Sequence, residues 1–373
     1  MAEAVIRLGV LGCGDVAFRT YLPGLDALKG TAAVVACTDP VAERAVRFAE
    51  EAAARSGFDC AAFPDLASML ANGELDGVLN LSPAPYHAET TTQILEAGIH
   101  CFSEKPIAGS LEDARALAAL ARERGLHLLC APAPMASSRF RWLKQEMANG
   151  LLGRPTLATG QMANMGPAAW RDYKGDPAVF YTDRVGPVID TGVYLLHAIT
   201  GLFGPARRVS AVGGIAIPDR AVLIPGREGE HIAVTGPDHV LIHLEWDDAT
   251  FAQIQSSFAT PRTKAPVLEI HGETGTIGIP DIATWYDLAA PMDMLLLDPS
   301  PAADPEAWQP AGPADPGPVR QPIQAGPVHF AAVLAGQEEP ILTAEHATHV
   351  LEIALAAARS AAEGRFVELE TTF

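Results

Sequence analysis

Short apolar runs alternate with alanine-rich amphipathic stretches over the first 130 residues. Four of these runs have the length of buried strands, and they lie at residues 5–11, 34–38, 77–81 and 99–103. Helical patterns cover residues 41–54, 88–97 and 111–124. Ser110 is placed to cap the start of the third helix and Gly125 to end it. Strands separated by helices in this rhythm predict βαβ units and a parallel sheet.

From about residue 155 the pattern changes to alternating or β-rich runs joined by short turns. These runs lie at residues 207–212, 239–246, 250–258 and 267–270. They predict antiparallel strands in a second, sheet-based domain. Residues 298–327 are rich in proline and lack periodicity, so we expect an extended surface loop there. A final helix is predicted over residues 344–363, with Gly364 directly after it.

The formal net charge of −19 excludes some classes of partner. A chain this acidic lacks the basic patches that nucleic acids and anionic membrane surfaces require, so we expect neither as a partner. The five cysteines all lie in the first 130 residues without metal-ligand spacing, which indicates reduced thiols and no metal site. The N-terminus shows no signal peptide, and no apolar run is long enough to span a bilayer. We therefore expect a cytoplasmic protein.

The first predicted strand ends in a glycine turn, GCGDVA at residues 12–17, which opens a helix. Small residues there permit a tight turn and close approach of a pyrophosphate to the helix N-terminus. Asp39 ends the next strand, where a carboxylate can accept hydrogen bonds from the adenosine ribose hydroxyls. The pattern predicts an N-terminal Rossmann domain that binds NAD. The expected cofactor contacts in this region are Gly12, Gly14, Asp15, Val16, Ala17 and Asp39.

Glu104, Lys105 and Pro106 directly follow the run at 99–103, at the carboxyl edge of the predicted parallel sheet. Ligands of open α/β sheets bind at that edge, and a lysine there can neutralise a developing alkoxide or exchange a proton. Lys105 can equally be a surface residue paired with Glu104. The bond between Lys105 and Pro106 is expected to be cis, because X–Pro bonds adopt that form at low cost.

Asp190, Tyr194 and His197 are spaced at i, i+4 and i+7. On a helix that begins near Thr191 they would project from one face, as a substrate-binding set does. The structural alternative is equally open: Asp190 as an N-cap, Tyr194 as a core aromatic residue and His197 as a core histidine.

Four segments of the chain resemble the glucose–fructose oxidoreductase/inositol dehydrogenase (Gfo/Idh/MocA) family of NAD(P)-dependent enzymes, and the resemblance runs over nearly the whole chain. The segments are VLGCGDVA, NLSPAPYHAETTTQILEAGIHCFSEKPIAGSLEDA, VGPVIDTGVYLLHAITGLFGP and IHGETGTIGIPD. The EKP tripeptide together with the downstream Asp-x-Gly segment is a specific combination.

The resemblance implies that Lys105 is catalytic and that Asp190 and Tyr194 face the substrate. Most family members carry histidine where this chain has Tyr194, and many carry aspartate where it has His197, so the identity of the substrate is open. Arg184-Val185-Gly186 stands where the family has paired glycines, and Arg184 is either a solvated charge or a contact for an anionic or hydroxyl-rich substrate.

The resemblance also implies a substrate-side loop and a nicotinamide-side segment. The expected substrate contacts are Trp170, Arg171, Tyr181, Arg184 and His197, and the expected cofactor contacts are Ser82, Pro83, His87, Glu104 and Lys105. Aromatic faces and bidentate polar groups suit sugar rings and hydroxyls.

The sequence thus predicts an α/β fold in two domains. Residues 1–130 form the NAD-binding Rossmann domain, and residues 131–373 form an α/β domain with a large, mostly antiparallel open sheet. One face of that sheet is expected to pack against another subunit, as a homodimer or homotetramer. The expected function is oxidation of a secondary hydroxyl of a sugar or polyol, or reduction of the corresponding ketone. The alternatives are an NAD-dependent redox glycoside hydrolase and a non-catalytic dinucleotide sensor.

Overall fold

The computed structural model describes residues 5–297 and 307–373. By its internal contacts the chain forms two compact units. The first contains Met1–Ala136 and Gln321–Thr348, and the second contains Ser137–Arg320 and His349–Phe373. The sequence predicted one boundary, after residue 130, whereas the contacts divide the chain at three points.

The first unit is built on a six-stranded parallel sheet. Its strands are β1 (Ile6–Leu11), β2 (Ala32–Thr38), β3 (Ala61–Phe63), β4 (Gly77–Asn80), β5 (His100–Ser103) and β6 (Leu128–Cys130). Their spatial order is β3-β2-β1-β4-β5-β6. The parallel register brings Leu11 beside both Thr38 and Asn80, and Asn80 beside Ser103. The carboxyl ends of β1, β2, β4 and β5 therefore meet at one edge of the sheet, as in Rossmann folds.

The second unit is built on a nine-stranded sheet and also contains a separate two-stranded sheet, formed by Asp219–Ala221 and His231–Ala233. Its strands are β7 (Pro155–Ala163), β8 (Arg208–Gly214), β9 (Asp219–Ala221), β10 (His231–Ala233), β11 (His239–Glu245), β12 (Phe251–Ser257), β13 (Leu268–Gly272), β14 (Gly275–Ile279), β15 (Met292–Leu296), β16 (Gln309–Ala311) and β17 (Val367–Glu368). The order of the large sheet is β16-β15-β14-β13-β7-β12-β11-β8-β17. Its neighbours pair antiparallel except β7 and β12, which are parallel. The predicted fold class, a Rossmann domain plus a mostly antiparallel sheet domain, is confirmed.

The four helices predicted at residues 41–54, 88–97, 111–124 and 344–363 are present within two residues of their predicted ends. The helices are α1 (Leu22–Gly24), α2 (Ala42–Ser56), α3 (Leu66–Asn72), α4 (His87–Glu96), α5 (Leu111–Arg124), α6 (Ser138–Ala148), α7 (Val193–Phe203), α8 (Ile282–Tyr286), α9 (Ala325–Leu334) and α10 (Ala344–Glu363). Ser110 caps α5 by accepting a hydrogen bond from the Asp113 N–H, and Gly125 ends it in the left-handed conformation at φ 65°. A serine oxygen satisfies an amide that the first helical turn leaves free, and glycine adopts positive φ without steric cost.

The proline-rich segment is more ordered than the predicted loop at 298–327, whose first nine residues, 298–306, lie outside the described residues. Gln309–Ala311 forms β16 on the edge of the large sheet, and α9 begins at Ala325. The expected loop is therefore wrong at β16 and where α9 begins, whereas residues 312–321 lie outside any helix or strand. An edge strand tolerates a proline that cannot donate a ladder hydrogen bond, and the first turn of a helix needs no N–H from Pro327.

All five cysteines are free thiols. Over the described ranges, no helix is both long and apolar enough to cross a membrane. Within the same ranges, no group of three or more His, Cys, Asp or Glu side chains is arranged to hold a metal ion.

Candidate active site

The turn after β1 contains two glycines, and each position favours glycine for a different structural reason. Gly12 has φ 92°, and a Cβ there would lie 2.7 Å from the backbone oxygen of Leu81. This position is closed to other side chains by the fold itself. A Cβ on Gly14 would meet no atom within 4 Å. The space beside Gly14 is open, as the approach of a pyrophosphate requires.

The remaining turn residues lead from the strand into a helical segment. Asp15 and Val16 are half-buried, whereas Ala17 is buried at the start of a π-helical turn, Ala17–Tyr21. Asp15 forms an ion pair with Arg19 at 2.9 Å. The helical segment that follows directs its first amides toward the turn, where an anion is favoured.

Asp39 is held in place by the backbone around it and is 6% exposed. Its Oδ2 accepts a hydrogen bond from the Cys13 N–H at 2.8 Å, and its Oδ1 accepts one from the Val41 N–H at 2.9 Å. A carboxylate oxygen accepts more than one hydrogen bond, so capacity remains for ribose hydroxyls. Gly12, Gly14 and Asp39 therefore fit the adenosine and pyrophosphate parts of a dinucleotide.

Asn80, at the end of β4, organises the next part of the edge and was not singled out from the sequence. It is 0% exposed, and its Nδ2 donates to the hydroxyls of Thr90 and Thr91 at 2.8 and 3.1 Å. Its Oδ1 accepts from the Ser82 hydroxyl at 2.7 Å. A buried asparagine at the end of an apolar strand is the signal that could have identified it, because a buried amide requires partners.

His87 joins the loops that follow β4 and β5. Its ring is 1% exposed, with Nδ1 2.6 Å from the Pro106 carbonyl oxygen and Nε2 2.7 Å from the Ser82 carbonyl oxygen. Ser82 is half-buried and Pro83 is exposed on the same loop. The predicted contacts Ser82, His87 and Lys105 are thus brought to one edge of the sheet.

Glu104 fixes the backbone of Lys105. Its carboxylate is 8% exposed; Oε1 accepts from the Tyr21 hydroxyl at 2.6 Å and Oε2 accepts from the Lys105 N–H at 2.9 Å. The Lys105–Pro106 bond is cis, as predicted, and the Lys105 side chain is half-buried. Glu104 therefore serves this edge as an anchor for the backbone.

Asp190 lies in a π-helical turn, Val188–Gly192, that precedes α7. It is consequently not the N-cap of that helix, and the spacing of a regular helix does not extend across the turn. The turn packs on β12, where the Ser256 hydroxyl donates to the Pro187 carbonyl oxygen at 2.8 Å. Asp190 and Tyr194 are 7% and 9% exposed, so both side chains are buried in the folded chain.

His197 lies deeper in α7 and is 0% exposed. Burial lowers the pKa of this imidazole to about 3, which keeps the ring neutral at physiological pH. A fully buried neutral ring matches the core-histidine alternative for this residue. Direct contact of His197 with substrate stays a prediction that its burial does not favour.

The expected substrate-side loop divides into a packed part and an exposed part. Trp170, Tyr173 and Phe180 form a ring cluster with centroid separations of 5.8 to 6.4 Å. Tyr181 is 1% exposed, and its hydroxyl donates to the Met165 carbonyl and accepts from the Ala168 N–H. Its hydroxyl is already used within the loop, so Tyr181 supports the loop structure. Arg171 and Arg184 are exposed.

The predicted residues form two sets, one in each unit. The turn residues, Asp39, Ser82, His87 and Lys105 lie at the carboxyl edge of the parallel sheet in the first unit. Asp190, Tyr194 and the loop around Trp170 belong to the second unit.

Comparison with known proteins agrees with both units. Residues 6–131 match the family model described as "Oxidoreductase family, NAD-binding Rossmann fold", and residues 140–278 match the Gfo/Idh/MocA C-terminal domain. A dTDP-3,4-didehydro-2,6-dideoxy-alpha-D-glucose 3-reductase from Streptomyces violaceoruber is 30% identical over 285 residues, covering 73% of this chain and 79% of the reductase. A D-apiose dehydrogenase from Paraburkholderia graminis is 26% identical over 377 residues, covering 97% of this chain and 89% of that protein.

A solved structure shows the same fold. The WlbA dehydrogenase from Bordetella pertussis, in complex with NADH and UDP-GlcNAcA, superimposes with a TM-score of 0.72 at 19% identity over 99% of each chain. The matches confirm the predicted family, the NAD cofactor and the enzyme class, an oxidoreductase of sugars. The chain belongs to the Gfo/Idh/MocA family of NAD-binding oxidoreductases.

Proposed function

We propose that this protein oxidises a secondary hydroxyl of a sugar or polyol with NAD, or reduces the corresponding ketone with NADH. The observation that carries the proposal is the carboxyl edge of the first unit. There the open space at Gly14 and the carboxylate of Asp39 share one sheet edge with Lys105, whose backbone is anchored by Glu104.

The cofactor would be held by the glycine turn and by Asp39, with Ser82, Pro83 and His87 along the nicotinamide side. When bound, NAD supplies the hydride chemistry. Asp39 would orient the adenosine ribose, because both of its oxygens are already fixed by backbone N–H groups. The amides at the helical start would face the pyrophosphate.

Removal of a hydride from a carbinol carbon requires that the hydroxyl proton leave nearly in step. We assign the Lys105 ammonium to the stabilisation of the developing alkoxide and the Tyr194 hydroxyl to the relay of the proton. Asp190 would orient a neighbouring hydroxyl. Free tyrosine, with a pKa near roughly 10, is a weak base at neutral pH, and nearby positive charge lowers that value.

The names of the relatives support a net redox reaction on a sugar. The Streptomyces relative is a sugar 3-reductase and the Paraburkholderia relative is a sugar dehydrogenase. Trp170, Arg171 and Arg184 are proposed as substrate contacts. A cytoplasmic location completes this part of the proposal, in keeping with five free thiols.

The large sheet offers a surface for self-association. On β8, β11 and β12 one face is buried, while the other carries Val212 and Phe251, 62% and 45% exposed. The register places these two side chains and Leu241 on the same face. We propose that a second copy of the chain covers this face. Light scattering of wild type and of Val212→Asp/Phe251→Asp tests it: a monomeric double variant is expected, and a monomeric wild type contradicts it.

The reaction is tested by following NADH during incubation with a panel of sugars. Formation of NADH in a stoichiometric amount is expected. Sugar release without net NADH indicates a redox glycosidase, and NAD binding without turnover indicates a sensor.

Lys105→Ala should lower the rate by on the order of 100-fold or more while NAD affinity stays nearly unchanged. Tyr194→Phe should lower the rate without affecting the fold. Lys144→Ala, an exposed lysine on α6, is the matched control. Near-normal turnover by Lys105→Ala would show that the active site is wrongly assigned.

A further inference from the structure

The loop that follows β12 is a local concentration of positive charge in an acidic chain. Between Ser257 and Leu268 it contains Arg262 and Lys264 and no aspartate or glutamate, whereas the chain has a net charge of −19. Both cationic side chains belong to exposed residues. A basic loop on an acidic protein produces a local attraction for anions that the rest of the surface opposes.

Arg262 and Lys264 form no ion pair with any described residue, whereas several arginines of the second unit do. Six other arginines of that unit lie within 4.0 Å of a carboxylate, namely Arg154, Arg207, Arg208, Arg220, Arg227 and Arg365. An anion that binds Arg262 and Lys264 therefore displaces no carboxylate. Their charge remains available to a ligand.

Hydrogen bonds hold the loop at both ends. Near its start, the Thr260 N–H donates to the Asn164 carbonyl oxygen at 3.3 Å, and Gln255 Nε2 donates to the Thr260 hydroxyl at 3.2 Å. At its end, Gln161 Nε2 donates to the Pro266 carbonyl oxygen at 3.0 Å. A loop anchored on strands presents its cations at a defined place, which reduces the ordering cost of binding.

The loop emerges at the end of the sheet that also carries Asp190. β7 and β12 are parallel, with Ser257 opposite Ala163, so the chain leaves both strands at one edge. The turn that contains Asp190 packs on Ser256, one residue before the end of β12. The cations and the proposed substrate residue thus share one end of the second unit.

We propose that Arg262 and Lys264 bind a phosphate group of the substrate, so that the enzyme acts on sugar phosphates or nucleoside-diphosphate sugars. An arginine matches phosphate oxygens with two parallel N–H donors, and a lysine adds a compact point charge. Together the two charges match a phosphate dianion. The assignment rests on the proposed sugar oxidoreductase function and adds the substrate class to it.

The test uses protein saturated with NAD, so that the cofactor's own pyrophosphate site is filled. Titration calorimetry with UDP-glucose, glucose 1-phosphate, glucuronate and glucose is expected to show at least 10-fold tighter binding of a phosphorylated probe than of glucose. Arg262→Ala/Lys264→Ala should weaken that binding about 10-fold or more and should raise KM with little change in kcat, because it removes binding that does not change during the reaction. Lys144→Ala/Arg359→Ala removes the same charge from exposed helix positions and should leave binding unchanged.

The proposal is overturned if the double loop variant binds phosphorylated probes as wild type does, or if glucose or glucuronate binds at least as tightly as either phosphorylated probe. Phosphate-dependent binding that is lost in the loop variant, without NADH formation, upholds the subsite and contradicts the proposed oxidoreductase reaction. If the loop variant oxidises neutral sugars as wild type does, and this oxidation depends on Lys105, the proposed reaction stands and the phosphate subsite is excluded.

Discussion

His87 places its Nδ1 2.6 Å from the carbonyl oxygen of Pro106, the residue directly after the proposed catalytic Lys105. Its other nitrogen contacts the Ser82 carbonyl oxygen at 2.7 Å. One buried ring therefore holds two loops of the candidate site. We treat His87 as a positioning residue, since it acts on Lys105 through the backbone.

Loss of this ring should reduce turnover more than cofactor binding. A neutral imidazole donates to one of the two carbonyl oxygens at a time, so His87→Leu leaves one part-buried carbonyl without its donor, at a cost of about 1–3 kcal/mol. We expect kcat to fall by about 10-fold or more, with a smaller change in NAD affinity and a lower denaturation midpoint. His87→Gln restores one amide donor and should recover part of kcat. Wild-type kcat in a folded His87→Leu protein would contradict the positioning role.

Alanine at the two glycines of the turn should have opposite consequences. At Gly12 a methyl group meets backbone atoms of Leu81 at 2.7 and 2.8 Å, so Gly12→Ala should destabilise the apo-protein. At Gly14 it meets nothing within 4 Å, so Gly14→Ala should keep the apo-protein's melting temperature and weaken NAD binding. Thermal unfolding with and without NAD measures both effects. Unchanged NAD affinity in Gly14→Ala would show that the pyrophosphate lies elsewhere.

Asp39 should make the enzyme prefer NAD to NADP. A 2′-phosphate would lie against a carboxylate, and a like-charge contact lowers affinity. Asp39→Ala should bring the kcat/KM values for NAD and NADP closer together. The substitution should also weaken the binding of both cofactors, because the Asp39 carboxylate accepts hydrogen bonds from the Cys13 and Val41 amides and so holds the loop in place. Steady-state kinetics with each cofactor measures both values of kcat/KM. Equal kcat/KM for NAD and NADP in the wild type would contradict the predicted preference.

Burial of His197 should make the fold sensitive to acid. Its pKa is lowered by burial from 6.5 to about 3, so the unfolded chain binds a proton that the folded chain excludes over that range. The stability that depends on the neutral His197 ring is fully present above pH 6.5. It falls as the pH decreases toward about 3, by roughly 1.4 kcal/mol for each pKa unit. The urea midpoint should fall between about pH 7 and pH 5, and His197→Gln should flatten that fall. His243→Gln, at an exposed position, should retain the wild-type slope.

Much of the fold follows from local pattern. The strand runs, the Ser110 cap, the Gly125 stop and the final helix each depend on residues close together in sequence, and the structure contains all of them. Proline content predicted a loop where β16 and the start of α9 form, because the effect of a proline depends on its position in an element. An edge strand and a first helical turn accept the residue that the interior of either element rejects.

The sequence by itself determined the two-part α/β fold, the dinucleotide motif and the candidate residues Lys105, Asp190 and Tyr194. Only the tertiary structure decided how their neighbours are used. Tyr21 reaches Glu104 across 83 positions, an association that no local period encodes. Tyr181 and His197 carry the residue types of a sugar site, yet both are buried in the second unit. Burial and hydrogen bonding between distant segments are set by how strands and loops pack, and that packing assigns each polar side chain its role.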